Sequence, residues 1–337
     1  MKTVSGYAKY EEENRNEKIS KMWCALTAAL LLVVPVTASA QENVINKEDQ
    51  TVEIISIDSN LSLEKKADGR VFPKMKTRDQ SLTVSQQESV LVEMGFTEED
   101  LEEMNPALKE DISLSGGKKV ETQTTLREYY NSFDGKKHLV TDENREEIEA
   151  LRQKEVRELS NKLDREINIE PLGYTQDYPF TGVGNVVYQG KTPNAAEFVF
   201  KYYNTATWAE SPNYMYTDTL AHAWQSFATG VSRESTLTTW VTPQHSGITN
   251  PAVKIEGAYA SSAKMLQGNY SSRHWTIVET VHIPISNKRD TGKHVARYAH
   301  PYSIVTPSLT VGPVSLAYSS FWGKEWTWDT IYTIDSM

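Results

Sequence analysis

The chain is 337 residues long, with one cysteine, 39% hydrophobic residues and a formal net charge of −10. That length allows one large core or two modest ones, while the acidic balance and the lone cysteine exclude a basic nucleic-acid binder and a disulfide scaffold. The charge is unevenly spread: residues 41–171 hold 19 basic and 30 acidic side chains, whereas residues 172–337 hold 11 of each together with 25 aromatic residues.

Residues 22–36, MWCALTAALLLVVPV, form an uncharged apolar run preceded by Lys18 and Lys21 and followed by Ala38-Ser39-Ala40. A positive flank, a short apolar core and small residues at the −3 and −1 positions predict a secretory signal peptide over 1–40, cleaved after Ala40. As a helix the run spans about 22 Å, short of a ~30 Å hydrocarbon core, so the reading is an address and not an anchor. Cleavage removes Cys24 and leaves a mature chain without cysteine. A secreted chain free of disulfides fits a bacterial source, and the expected location is extracellular.

Residues 41–75 are polar apart from TVEIISI at 51–57, and are read as a flexible leader with at most one short strand. The zone 76–171 is read as a helical hairpin, a β-hairpin and a long helix. Val90, Leu91 and Met94 make a helix-like apolar face that Gly95 terminates, and Thr97 with Asp100 offers a capping-box arrangement for the next helix. Pro106 starts a further turn that Gly116-Gly117 stops. Asp134-Gly135, between VETQTTLREYYNS and KKHLVT, predicts a hairpin turn. Ile148, Leu151, Val156, Leu159 and Leu163 recur on one narrow stripe over 142–166, predicting a charged helix docked along one side.

From residue 172 the texture changes to Thr, Ser, Tyr, Val and Trp broken by turn residues, which predicts an all-β antiparallel sandwich of about eight strands. The fold class is therefore α+β overall, a small mixed helix and hairpin region followed by a sandwich-like domain over 172–337. The segment DTLAHAWQSFATG at 218–230 is the one stretch read as a short helix.

Chemistry is sparse. His274 and His282 lie eight residues apart in one predicted strand, about 27 Å, too far to share a metal, and there is no HExxH or HxH. No metal site and no cofactor is expected. Gly182-Val183-Gly184 lacks the third glycine and following helix of a dinucleotide loop. Glu325 with Asp329, or Glu256 with Glu279, could supply the carboxylate pair of a hydrolase. The sharpest feature is Trp322, Trp326 and Trp328 in SSFWGKEWTWDTIYTI. In a strand Trp326 and Trp328 share a face about 7 Å apart, either filling a core or forming a platform for a sugar or a choline-like head group. The resulting expectation is a secreted, non-enzymatic binding protein whose β-domain contacts a glycan, the cell envelope or a protein, and no nucleic acid. The alternatives are an extracellular carboxylate-dependent hydrolase and a membrane-active toxin or bacteriocin-like protein.

Overall fold

The structure, a computed structural model, describes residues 49–77, 81–164, 180–208, 216–241, 244–249, 253–255, 260–265, 272–303 and 307–335. The expected signal peptide lies outside them. In chain order the elements are β1 (Thr51–Ser56), β2 (Leu61–Lys66), β3 (Val71–Met75), α1 (Val84–Glu93), α2 (Glu98–Glu103), α3 (Pro106–Ser115), β4 (Lys118–Lys119), β5 (Gln123–Asn131), β6 (Lys137–Val140) and α4 (Arg145–Leu163). There follow β7 (Phe180–Lys191), β8 (Glu197–Trp208), β9 (Asp218–Trp224), β10 (Thr229–Val241), β11 (Gln244–Thr249), β12 (Val253–Ile255), β13 (Ala260–Met265), β14 (Ser272–Pro284), β15 (Thr291–Pro301), β16 (Leu309–Gly312), β17 (Ser315–Tyr318) and β18 (Gly323–Thr333).

Two antiparallel sheets make the sandwich, one in the order β11-β10-β14-β8-β7-β4 and the other β12-β13-β9-β15-β18-β5-β6. Alternation along each strand decides which side chains meet between them. From β8 come Phe200, Tyr202, Asn204, Ala206 and Trp208, and from β14 Trp275, Ile277 and Val281; these face Leu220, His222 and Trp224 of β9, Ala296 and Tyr298 of β15, and Trp326, Trp328 and Tyr332 of β18. Ring stacking is dense: Phe180 lies 4.3 Å from Trp326 with near-parallel planes, and Trp208 meets Trp326 edge-on at 4.9 Å. The glycines of β7 make this possible. A Cβ at Gly182 would lie 2.5 Å from the Trp328 ring, and one at Gly184 would lie 1.9 Å from Thr330 Oγ1. The Gly182-Val183-Gly184 string thus serves close packing.

The boundary expected at residue 171 does not separate two bodies. Strand β5 pairs with β18 from Asn131↔Gly323 to Gln123↔Ile331, and β4 pairs with β7. The acidic zone therefore completes both sheets, and the described residues from Asp49 onward belong to one compact unit.

The flexible leader expected over 41–75 is also corrected. Residues 51–75 form a three-stranded meander, β1-β2-β3. Leu61 and Leu63 alternate inward and are fully buried, as is Val71, while Glu64 pairs with Lys66 and Lys74 on the other face. The meander and helices α1 and α3 cover the outer face of the first sheet, burying Leu61, Val90, Leu91 and Ile112 against Val187, Tyr203 and Val278. The Thr97–Asp100 capping box is formed, and Asn105 caps α3 ahead of Pro106. Arg70 ties the layers together. Its guanidinium is buried, bonded to Asp68 at 2.6 Å and to the Gln189 carbonyl at 2.8 Å. It fills the space where a Cβ on Gly190 would lie 2.1 Å from Nη1.

A third correction concerns residues 218–230: residues 218–224 are strand β9, buried along its whole length. Leu220, His222 and Trp224 face inward, and the outward Ala221 and Ala223 are covered as well, since the β16-β17 hairpin packs Leu316 over Ala221, Ala223 and Val295.

Candidate functional site

The three tryptophans expected as a ligand platform lie inside the molecule. Trp328 is fully buried, Trp326 is 4% exposed and Trp322 is 7% exposed. A sugar or a choline head group needs a bare ring face; here Phe180, Trp208 and Tyr298 occupy the surroundings of Trp326. Trp328 donates through Nε1 to Asn204 Oδ1 at 3.1 Å. The platform reading is therefore replaced by core packing, with one qualification of place. Trp322 stands directly behind a surface groove.

That groove, about 370 Å³, runs between α4 and the turn of the β5-β6 hairpin. Its apolar lining is Leu151, Leu159 and Phe133, and its charged lining is Asp134, Lys154, Glu155, Glu158 and Lys162. The narrow apolar stripe of α4 explains the arrangement. Ile148, Leu151, Val156 and Leu159 dock on Tyr130, Val140, Tyr302 and Trp322, leaving the edges of Leu151 and Leu159 beside the turn. Phe133, at the turn, is 56% exposed, and its ring meets Trp322 edge-on at 5.7 Å.

Glu155 holds this geometry. Its carboxylate accepts from the Phe133 backbone N–H at 2.9 Å, from Trp322 Nε1 at 3.2 Å and from the Tyr130 hydroxyl. Burial, reinforced by the bond to Glu155, pushes the Tyr130 phenol far above its usual range, so it stays a donor. Glu155→Ala is expected to lower stability by about 2–4 kcal/mol, the scale of several lost charge-assisted hydrogen bonds. It should also shift the Trp322 emission to the red. Denaturation followed by tryptophan fluorescence checks both, and Glu155→Gln, which keeps part of the acceptor, should fall between.

The carboxylates singled out for hydrolysis are occupied or remote. Glu325 accepts from Lys137 at 2.7 Å and Arg297 at 2.8 Å; Asp329 pairs with Arg127 at 3.0 Å and Lys293 at 3.6 Å. Four residues apart on one strand face they stand about 13 Å from each other, beyond a glycosidase pair. Glu279 is buried between the sheets with Arg233 at 3.0 Å, and burial raises its pKa to about 7. Glu256 lies outside the described residues. Among the described residues no group of three or more His, Cys, Asp or Glu side chains converges on a metal position.

The histidines form structural bonds that sequence reading along single strands missed. His300 and Tyr298 both bond Asp218, His282 bonds Glu197, and His274 bonds Thr207. His222 and His294 meet at Asn204, described below. The parity of His222, two positions before Trp224 on β9, was the available signal, but the helix reading of 218–230 hid it.

No protein-family profile matches the chain, and no curated protein matches it. Among solved structures it is similar to the collagen-binding subdomain of the Enterococcus faecalis surface protein ACE, with 8% identity, TM-score 0.26, and 43% of this chain against 94% of that one. It is likewise similar to the collagen-binding domain of a Staphylococcus aureus adhesin, with 10% identity, TM-score 0.23, and 44% against 93%. A third is Clostridium perfringens delta-toxin, with 6% identity, TM-score 0.18, and 47% against 92%. Scores of this size bear on neither partner nor activity; the β-sandwich rests on the chain's own two sheets.

Proposed function

We propose that the chain is a secreted, extracellular binding protein without catalytic activity, and that it grips a protein partner in the groove between α4 and the β5-β6 turn. The observation that supports this is Phe133, a large aromatic held 56% exposed beside Leu151 and Leu159 while its neighbours Tyr130, Tyr302 and Trp322 are buried. Its backbone is pinned by Glu155, so the ring is presented on a fixed turn. The apolar part of the lining is Leu151 and Leu159 with one aromatic edge, a shape suited to a protruding apolar side chain and unsuited to stacking a flat sugar ring. The Glu155 carboxylate, which could have received sugar hydroxyls, already accepts three bonds. At the rim Lys162 has no ion-pair partner among the described residues, whereas Lys154 is paired with Glu158 at 3.7 Å. The partner segment is therefore an apolar side chain next to an acidic one.

The test is capture of extracellular proteins and of polysaccharides on immobilised protein. Phe133→Ser is expected to weaken protein capture at least tenfold, the usual cost of losing an aromatic anchor, and Lys162→Glu to weaken it less and in a salt-dependent way. Polysaccharide capture unaffected by Phe133→Ser, with no protein captured, would sink the proposal.

A further inference from the structure

At the centre of the sandwich sits a buried polar cluster contributed by both sheets. Asn204 of β8 donates through Nδ2 to Nδ1 of His222 on β9 at 2.9 Å and to Nδ1 of His294 on β15 at 3.1 Å. Its Oδ1 accepts from Trp328 Nε1 on β18 at 3.1 Å. All four side chains are fully buried. An indole nitrogen can only donate, which fixes the amide orientation and with it both imidazole tautomers. Each Nδ1 is an acceptor, and each ring carries its proton on Nε2.

A second proton on either ring must go to Nδ1, where it would point at an amide N–H. Turning the Asn204 amide over relieves that conflict only by setting its N–H against the indole N–H. The three partners exclude a charged ring in either orientation. Burial acts in the same sense, holding the His294 pKa at about 3 and His222 well below its usual value, with His294 and Arg233 adding repulsion at His222.

We propose that Asn204, His222, His294 and Trp328 form an acid-sensitive latch between the two sheets, closed at neutral pH and released when acidification forces a proton onto the rings. Among the described residues the latch is also faced by the Glu279–Arg233 pair from β14 and β10, by Tyr202 stacked 4.6 Å from His294, and by Thr330; Tyr332 bonds Tyr202, and Asp329 acts from the far face of β18. Tyr202 and Tyr332 are pushed upward by burial and stay neutral, and Asp329 favours His294 protonation without overcoming burial.

The sign follows from proton linkage. An unfolded histidine binds a proton near pH 6.5, while these rings resist it in the fold. Each therefore raises the unfolding constant about tenfold per pH unit as pH falls below that value. Glu279 works oppositely: its pKa is about 7 in the fold and 4.5 in an open chain, so protonating it favours the fold between those values. The net expectation is about a tenfold rise per pH unit from 6.5 to 4.5.

Urea unfolding at several pH values tests the latch by comparing variants. The slope should flatten by about tenfold per unit in His294→Gln and steepen by about tenfold per unit in Glu279→Gln. Nitrogen NMR of the unaltered protein supplies a measurement that needs no variant to fold: both rings should read as neutral Nε2–H tautomers at pH 5. Identical slopes in the unaltered protein and His294→Gln, or rings that titrate near pH 6.5 in the folded protein, would overturn the latch.

Discussion

Trp328→Ala is expected to cost about 5 kcal/mol, a large share of the stability of an ordinary domain. Two terms combine. Removing a fully buried large aromatic leaves a cavity worth about 3–5 kcal/mol, because the surrounding strands collapse only partly. The Asn204 Oδ1 then loses its donor, and a buried acceptor left unpaired costs about 1–3 kcal/mol. Trp328→Phe separates them, since it keeps much of the volume and loses only the N–H; its cost should be about 2–3 kcal/mol. Chemical denaturation of the two variants measures both. Equal costs would show that the lost volume adds nothing beyond the missing N–H, and a negligible cost for Trp328→Phe would show that the indole N–H contributes nothing. The same ring explains Gly182: an alanine there meets Trp328 at 2.5 Å and has nowhere to move it.

Residues 172–337 produced alone are expected not to fold. The seven-stranded sheet would lose β5 from the side of β18, exposing the register Gly323–Ile331, and the six-stranded sheet would lose β4. The outer face carrying Val187, Tyr203 and Val278 would lose the cover of the meander and helices, exposing a large apolar patch. Near-UV circular dichroism of the fragment should be featureless, and mixing it with residues 41–171 should recover part of the native signal. A native spectrum from the fragment alone would show that the acidic zone is an accessory.

The β-sandwich was readable from the Thr, Ser, Val, Tyr and Trp texture after residue 172, because such residues suit half-buried strands. What was not readable has specific causes. Strand β9 has both faces covered, so DTLAHAW shows no alternation, and its alanines pass for helix formers. The meander strands β1 to β3 are five or six residues long and carry charges outward, so Leu61 and Leu63 looked isolated. The spacing of Trp326 and Trp328 placed them on one strand face without saying which way that face turned. Gly182 and Gly184, with the same period as Trp328 and Thr330, held that answer, but only once β7 is known to lie across from β18. The groove needed three separate segments, the 131–136 turn, α4 and Trp322, and no single window of sequence contains them.

Strand β18 lies between β15 and β5, and its partners on β5 are about 200 residues earlier in the chain; Arg127, for one, is 202 positions from its ion-pair partner Asp329. During synthesis β5 and β6 can form their local hairpin early. The sheet they belong to stays open until residues 323–333 have emerged. Closing so long a loop comes late and is slow. The growing chain therefore passes through a prolonged stage with an unpaired edge and uncovered aromatics, the stage at which a chaperone would have the most to hold.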